Sequence, residues 1–206
     1  MKYKKIAGVL VCYNPNIEEL KECVLSIIPQ IDKLYIVDNT EKQSYLINTG
    51  IIQLDSKIEL IELKENIGIA AAQNIGIQKA FENNFEAILF LDQDSKPPKN
   101  LVVELLNGIT QLENEGSKVA TIGPMVYNRD SNSEYKSLIN KGKDISDFIE
   151  KDAIISSGSI ILKEVYEDVG RLENELFIDV VDFEWCWRAR QKGYKSFISK
   201  KVRNGA

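Results

Sequence analysis

Histidine is absent from the 206 residues of the sequence. This absence excludes a Ser-His-Asp triad, a zinc site with histidine ligands and an imidazole general base. Acid–base or metal chemistry would therefore rest on carboxylates, Lys, Tyr or Cys. Cysteine is scarce as well, because only Cys12, Cys23 and Cys186 occur. Their odd number and wide spacing argue against a disulfide framework or a zinc cluster, and we predict three buried free thiols.

Long apolar runs and an excess of positive charge are also lacking. No stretch approaches the roughly 18 apolar residues of a transmembrane helix. The apolar run at 6–12 is short for a signal peptide, and a Tyr-Asn-Pro-Asn stretch follows it instead of a cleavage site. Lys and Arg number 26 against 31 Asp and Glu, which excludes the basic footprint of a nucleic-acid-binding protein. We expect a cytoplasmic protein with no nucleic-acid partner.

The composition is that of a globular protein, with 44% hydrophobic and 28% charged residues. At this length we expect one domain over residues 1–206. Short continuous apolar runs are typical of strands buried on both faces, and helical apolar spacing lies between them. This alternation predicts an α/β fold with a mostly parallel central sheet and helices on both faces. The predicted elements are strands at 6–12, 34–37, 58–63 and 87–91, and helices at 16–28, 69–83 and 102–112.

The second half of the sequence is less regular. A polar loop as long as the one predicted here is usually functional. The basic stretch at 200–203 is expected to be a solvated chain end, and contact with a diphosphate or an anionic membrane surface is the alternative. The predicted elements are a strand at 119–127, a loop at 128–152, a strand at 153–162, helices at 163–169 and 182–192, and a strand at 194–199.

Polar residues follow each of the first four predicted strands. Because ligands bind at the carboxyl ends of the strands in such sheets, four polar strand ends in succession indicate one shared site. The residues concerned are Tyr13, Asn14, Asp38, Asn39, Asn66, Asp92, Gln93 and Asp94.

Asp92 and Asp94, separated by Gln93, form the central motif. Two carboxylates at a strand end can bind a hard divalent cation and leave coordination positions for phosphates. Mg²⁺ or Mn²⁺ bound in this way would neutralise a departing diphosphate. A solvated acidic turn is the simpler alternative. The motif also resembles the nucleophile motif of haloacid-dehalogenase phosphatases, but that motif normally opens its domain and here three predicted strands precede it.

Residues 66–76 form an unusual string of small residues that matches neither a dinucleotide fingerprint nor a Walker A loop. Small residues at a helix start permit close approach to the backbone, and the first amides would favour a phosphate or sugar oxygen. Tight packing of the helix on the sheet is the alternative for several of the alanines. Asn74 stands out as a polar side chain on the small-residue face.

Residues 177–188 place acids among apolar side chains. Carboxylates in such surroundings tend to have raised pKa values and can act as bases near neutral pH. Glu184 and Arg188 have the spacing of a helical ion pair. Asp179 and Asp182 fall at the helix start, where a helix-capping role is equally natural. Gly158, inside a predicted strand, indicates a bulge or the close approach of a ligand.

Together these motifs resemble the family-2 glycosyltransferases of the GT-A fold, and most nearly the bacterial rhamnosyltransferases that use dTDP-rhamnose. The resemblance covers residues 6–199 and implies that Asp38 contacts the base of the donor nucleotide. Gln73 stands where the family often has Arg. As residues that bind the donor, the resemblance implies Tyr13, Asn14, Asp38, Asn66, Gly68, Asn74, Asp92 and Gln93. It implies Asp94, with Asp92, as ligands of Mg²⁺ or Mn²⁺.

On the acceptor side, the resemblance implies that Asp182 is the general base. Ser157, Gly158, Asp179 and Trp185 are further acceptor-side candidates. Asp182 would deprotonate a hydroxyl of a saccharide or lipid-linked saccharide, which then displaces the nucleotide diphosphate with inversion. The donor would be dTDP-rhamnose or a UDP-sugar, and the product a cell-surface glycan.

The resemblance also implies an arrangement in two halves. Residues 1–127 would bind the nucleotide sugar, and residues 128–206, with a small antiparallel and helical part, would bind the acceptor. Because the family usually continues past the last predicted strand, often with a His that completes the site, we expect a C-terminally truncated core. Peripheral association with the inner face of the membrane is a further expectation, and no oligomeric state is implied.

Three other interpretations stay open. A sugar nucleotidyltransferase shares the acidic site but usually carries a Gly-rich basic phosphate loop near its start, which residues 13–16 do not provide. A phosphatase of the haloacid-dehalogenase type is the second. The third is a domain that binds a nucleotide sugar without turning it over, which donor hydrolysis measured beside binding would distinguish from an enzyme.

Overall fold

The computed structural model describes residues 2–41, 45–127 and 142–205. These residues form one sheet with helices packed on it. The strands are Ile6–Cys12 (β1), Lys33–Asp38 (β2), Ile58–Glu62 (β3), Ala87–Asp92 (β4), Val119–Tyr127 (β5), Lys143–Ile145 (β6), Phe148–Lys151 (β7), Ile160–Leu162 (β8) and Lys195–Gly205 (β9). The α-helices are Ile17–Ile27 (α1), Ile69–Glu82 (α2), Leu101–Asn114 (α3), Lys163–Val169 (α4) and Val181–Gln191 (α5). Short 3-10 helices lie at Ile28–Gln30, Tyr45–Asn48, Ile52–Leu54 and Asn174–Leu176.

The strand order is β3-β2-β1-β4-β8-β5-β9-β7-β6. β1 pairs in parallel with β2 and β4, β2 pairs in parallel with β3, and β5 pairs in parallel with β9. β8 is antiparallel to both β4 and β5, and β7 is antiparallel to both β9 and β6. Only β7 and β8 therefore run against the other described strands, which confirms the α/β fold with a mostly parallel sheet. We call the side of the sheet where β1 to β5 and β9 end the carboxyl edge.

Local sequence explains the first helix and its packing. The Asn16 side chain caps α1 by accepting hydrogen bonds from the backbone N–H groups of Glu18 at 3.0 Å and Glu19 at 3.4 Å. This arrangement satisfies donors that a helix start otherwise leaves free. The apolar stripe of α1 is buried as its spacing predicted, through Leu20, Cys23, Val24 and Ile27.

Helix α2 packs unusually close to the sheet. A Cβ atom at Gly76 would lie 2.6 Å from a methyl carbon of Val9, so only glycine fits there. This contact confirms tight helix–sheet packing for part of the small-residue string.

The three cysteines are buried free thiols, as predicted. Burial raises the pKa of the Cys23 thiol to about 12.

The loop predicted at 128–152 is partly wrong. Residues 128–141 lie outside the described residues, but 143–151 form the β6–β7 hairpin through a turn in which Ser146 has φ +52°. Phe148 anchors this hairpin in the core, where it is 1% exposed. A hairpin with so few apolar residues has too weak an alternating pattern to be recognised in the sequence.

The strand predicted at 153–162 is wrong for its first part, because only Ile160–Leu162 pairs as β8. Residues 156–159 form a tight turn, in which the N–H of Ser159 donates to the carbonyl of Ser156 at 2.8 Å and Gly158 has φ +72°. A residue with positive φ cannot continue a strand, and glycine adopts this conformation readily. We call residues 156–159 the serine turn.

The basic stretch at 200–203 is solvent-exposed at Lys200, Lys201 and Arg203, as expected, but it is part of a strand. It continues β9, with Val202 2% exposed, and Lys200 and Lys201 form ion pairs with Asp144 and Asp147. In the described ranges, no helix has the length and apolar character needed to cross a bilayer.

Candidate functional site

The carboxyl ends of β1 and β4 are tied together by one side chain. Gln93 accepts a hydrogen bond from the backbone N–H of Tyr13 at 2.8 Å and donates to the carbonyl of Tyr13 at 3.3 Å. The neighbouring residue, Asn14, has φ +43° and donates its backbone N–H to the Thr40 hydroxyl at 3.2 Å. Gln93 and Asn14 therefore shape the edge, while the Tyr13 side chain is 44% exposed and can meet a ligand.

A second link joins the end of β2 to the start of α2. The Asn39 side chain donates to Oδ1 of Asn66 at 2.9 Å and accepts from the backbone N–H of Ile67 at 2.9 Å. Oδ1 of Asn66 also accepts from the N–H of Gly68 at 3.1 Å. The structure therefore gives Asn66 a role in fixing the loop, together with Asn39, to which the sequence resemblance assigned no role.

Asp38 lies between these two links and is 2% exposed. Its Oδ1 accepts the backbone N–H of Thr40 at 3.1 Å. Its Oδ2 is buried and has no hydrogen-bond partner among the described residues. Buried polar atoms in native proteins are almost always paired, so this unpaired carboxylate oxygen is an exception that calls for an explanation.

The first amide of α2 is not available to a phosphate. The N–H of Ile69 donates to the carbonyl of Phe177 at 2.6 Å, and the side chains of Asn39 and Asn66 accept the N–H groups of Ile67 and Gly68. Gly68, at φ +84°, lies so close to Phe177 that an added Cβ would stand 2.7 Å from its ring. Gly68 is therefore required for this contact, which joins the donor side of the edge to the acceptor-side motif.

The structure does not support donor binding by Asn74, which is 1% exposed. Its Nδ2 donates to the Leu172 carbonyl at 2.8 Å and to Oδ1 of Asn174 at 2.7 Å. Its Oδ1 accepts from the Tyr166 hydroxyl at 2.7 Å and from the Leu172 N–H at 3.1 Å. Two donors and two lone pairs are the full capacity of an amide side chain. Asn74 therefore joins α2 to the chain that leads to α5.

Two serines lie beside the acidic motif that follows β4. The Ser157 hydroxyl acts to lower the pKa of Asp92, and the hydroxyls of Ser157 and Ser95 lie 3.0 Å apart. Burial raises the pKa of Asp92, and the neighbouring carboxylates of Asp94 and Asp182 act in the same direction. A concentration of negative charge in a partly dry site favours a bound cation.

Asp92 and Asp94 fit a divalent cation of the Mg²⁺ type. Such an ion commonly takes one or two protein carboxylates and completes its coordination with waters and substrate phosphates. No group of three or more acidic or thiol ligands comes together within the described ranges. The two aspartates would therefore form an open site that a diphosphate completes.

Asp182 stands in the first turn of α5 and is half-buried. Its Oδ2 accepts the backbone N–H of Ser156 at 3.0 Å, and its Oδ1 accepts the N–H of Phe183 at 2.9 Å. Burial raises its pKa, although these bonds act in the opposite direction. The structure does not support the alternative of helix capping by Asp179 or Asp182, because the N-cap is Val180 in a left-handed conformation with no side-chain cap.

The serine turn lies between the acidic motif and Asp182. The Ser157 hydroxyl acts on the pKa of Asp92, and the N–H of Ser156 donates to Asp182 at 3.0 Å. Gly158 donates its N–H to the carbonyl of Phe90 in β4 at 2.9 Å, which fixes the turn on the sheet. Ser157 and Gly158, which the resemblance placed on the acceptor side, therefore belong to a turn that is next to both carboxylates.

Trp185 is not an acceptor residue in this structure. It is 1% exposed and donates its indole N–H to the Gly170 carbonyl at 2.8 Å, which makes it part of the core. The exposed indole is that of Trp187, a residue that sequence reasoning missed.

Glu184 and Arg188 pair as predicted, with Nη2 of Arg188 2.8 Å from Oε2 of Glu184. The other large apolar side chains exposed in this region are Phe177, Ile178 and Val180.

The fold and the site define a class of protein. A mostly parallel α/β sheet carries at its carboxyl edge a buried Asp with one unpaired oxygen, an Asp-x-Asp motif and a half-buried carboxylate held by the serine turn. These are the parts of a GT-A glycosyltransferase domain.

The chain belongs to glycosyl transferase family 2, whose family model matches residues 9–170. It is 34% identical over 197 residues to the dTDP-rhamnosyl transferase RfbF of Shigella flexneri, an alignment that covers 91% of this chain. The chain spans 64% of the length of that relative. The nucleotidyltransferase and phosphatase interpretations are therefore not favoured.

Solved structures share the fold. A structure of GalNAc-T7 with UDP, GalNAc and Mn²⁺ has a TM-score of 0.78 at 15% identity, covering 98% of this chain and 44% of the other. Staphylococcus aureus TarS residues 1–349 in complex with UDP has a TM-score of 0.71 at 16% identity, covering 98% and 60%. At these identities the likeness confirms the GT-A fold.

Proposed function

We propose that this chain transfers a sugar from a nucleotide-diphosphate donor to a hydroxyl of a saccharide or lipid-linked saccharide, with inversion at the anomeric carbon, in glycan biosynthesis. The observation that carries the proposal is the chain of contacts along the carboxyl edge. It joins an unpaired buried carboxylate at Asp38, the acidic motif Asp92 and Asp94, and the Asp182 carboxylate through the serine turn.

The donor base would lie at Asp38. Oδ2 of Asp38 would accept the imide N–H of thymine or uracil, since this oxygen is buried and unpaired. The exposed ring of Tyr13 would cover the base or the ribose. The relative named for dTDP-rhamnose favours that donor, and a UDP-sugar offers the same imide N–H.

The donor diphosphate would lie over Asp92 and Asp94. These two carboxylates would hold Mg²⁺ or Mn²⁺, and the ion would supply neutralisation of the charge that develops on the diphosphate.

Asp182 would act as the general base. The acceptor hydroxyl gives its proton to the Asp182 carboxylate while its oxygen bonds to the anomeric carbon, and the bond from that carbon to the diphosphate oxygen breaks with its electron pair. Burial raises the pKa of Asp182, which makes it a stronger base than an exposed aspartate. Hydrogen bonds to both carboxylate oxygens hold it in place.

The acceptor would approach past the exposed residues that precede α5. Phe177, Ile178 and Val180 are 45%, 65% and 49% exposed, and they lie just before the base in the sequence. Two of them, Phe177 and Val180, have positive φ angles of +58° and +57°. Such conformations are costly for side chains other than glycine and concentrate at functional sites.

A binding and turnover screen tests this function. The chain is titrated with dTDP-rhamnose, UDP-glucose and GDP-mannose with and without Mg²⁺ or Mn²⁺, and release of the nucleotide diphosphate is followed. We expect metal-dependent binding of a thymine or uracil nucleotide sugar and slow hydrolysis with water as acceptor. Binding without any hydrolysis would instead favour a non-catalytic domain, and no binding of any donor would refute the proposal.

A further inference from the structure

Asn204 is a buried polar residue without a partner. Its side chain is 0% exposed, and neither Oδ1 nor Nδ2 has a hydrogen-bond partner among the described residues. An unpaired buried amide loses its bonds to water and gains nothing in exchange, which is why native structures hold few of them. The residues around Asn204 should therefore show why its amide is buried without a hydrogen-bond partner.

The side-chain amide of Asn204 lies next to Gly158 of the serine turn. A Cβ atom added to Gly158 would lie 3.1 Å from Nδ2 of Asn204. In this turn the N–H of Ser156 donates to Asp182, and the Ser157 hydroxyl is close enough to Asp92 to affect its pKa. The unpaired amide therefore stands directly behind the turn that is next to both carboxylates.

The pairing of β9 with β5 is irregular just before Asn204. The register of β9 against β5 jumps from Ser199 opposite Pro124 to Arg203 opposite Met125. β9 thus carries an insertion at 200–202, and bulges of this kind occur next to active sites, where they re-aim a side chain.

The serine turn can bond to the amide. The N–H groups of Ser156, Gly158 and Ser159 already donate to Asp182, Phe90 and Ser156. The turn can therefore offer only its carbonyl oxygens, each of which has two lone pairs; those of Ser156 and Ser159 already accept one N–H each, from Ser159 and Phe90. Pairing with the Asn204 amide nitrogen would require a second arrangement of the turn.

We propose that Asn204 is a positioning residue for the transfer reaction. Its amide pairs with the serine turn in a second arrangement of that turn, and a nucleotide sugar at Asp92 and Asp94 favours this arrangement. The pairing fixes Asp92 and Asp182 relative to each other for the chemical step. This inference rests on the proposed function.

The test is Asn204→Leu, which replaces the amide with an apolar side chain of similar size. Because an unpaired buried amide is destabilising, we expect the variant to melt about 2–4 °C higher than the wild type. We expect kcat for hydrolysis of dTDP-rhamnose to fall about tenfold or more, because misplaced catalytic groups are costly, while KM for the donor stays within about twofold. A residue that only supports the fold would not raise Tm and lower kcat together.

Asn74→Leu is the matched control, because Asn74 is equally buried but fully paired. This variant should melt at a lower temperature than the wild type. Asn204→Ala serves as the second variant if leucine is not accommodated, and it should show the same loss of kcat at unchanged KM.

The possible results distinguish a failure of the proposed function from a failure of the positioning role of Asn204. If the wild type neither binds nor hydrolyses a nucleotide sugar, the proposed function fails and this inference with it. If the wild type is active and both Asn204 variants keep its kcat, or if Asn204→Leu lowers Tm and kcat in parallel, only the positioning role is overturned.

Discussion

The two buried carboxylates at opposite ends of the site, Asp38 and Asp182, are held in different ways. Asp182 accepts a backbone N–H on each oxygen, and burial raises its pKa. Asp38 accepts a backbone N–H on one oxygen only, and its other oxygen is buried and unpaired. This difference underlies the two proposed roles, in which Asp182 takes a proton and Asp38 accepts a hydrogen bond from the donor base.

The strongest test of this difference is Asp182→Asn. The amide cannot take a proton, so hydrolysis of dTDP-rhamnose should fall by ~10²–10⁴-fold. Donor affinity, measured by calorimetry, should stay within about twofold, because the base of the nucleotide lies at the other end of the site. Asp168→Asn, a change at an exposed ion pair with Lys192, is the control and should leave both quantities unchanged. Loss of affinity together with turnover would rule out the role of base.

Asp38→Asn is expected to have the next largest effect. The change keeps an acceptor for the Thr40 N–H but can place an N–H₂ group where the ligand's own donor should bind. Removing a charge-assisted hydrogen bond of this kind should weaken binding of dTDP about 10–100-fold. Asp55→Asn is a control for the loss of charge away from the edge. If dTDP bound equally well to Asp38→Asn, the base would lie elsewhere.

Asp94→Ala should have a smaller and more specific effect. The variant should lose most of the gain in donor affinity that Mg²⁺ or Mn²⁺ provides, which we expect to be about tenfold. Titrations with the metal and with EDTA would give this gain for the wild type and the variant. An equal gain in both proteins would contradict a metal site at Asp94.

The pH dependence of turnover should show the smallest effect. A general base must be deprotonated, so hydrolysis should fall as pH drops through the pKa of Asp182. Because burial raises that pKa, the acid limb of kcat should lie above the value of ~3.9 for an exposed aspartate. An acid limb at or below that value would show that the titrating group is not a buried carboxylate.

Much of the parallel part of the sheet was predictable, because its strands are continuous apolar runs that end at polar residues. Asp38 and Asp92 were found in this way. The partners of a side chain were less accessible to sequence reasoning. Asn74 and Asn204 are both buried polar residues, yet only the fold shows that the first is fully paired and the second is not.

The acceptor side illustrates the same limit. Trp185 and Trp187 lie two residues apart on α5, and the sequence favoured the first as a site residue. The structure buries Trp185 against Gly170 and exposes Trp187. The helix has no clear apolar stripe, so which face packs inward is decided by β9, β5 and α4, against which it lies. That information is tertiary and leaves little trace in local spacing.

The most direct test of the account is to measure donor affinity and hydrolysis side by side for Asp38→Asn and Asp182→Asn with dTDP-rhamnose and Mg²⁺. The account predicts that the two effects separate, with affinity lost in Asp38→Asn and turnover alone lost in Asp182→Asn. If both variants lose affinity and turnover together, or if neither variant changes either quantity, the division of the site into a base-recognising carboxylate and a proton-accepting carboxylate is contradicted.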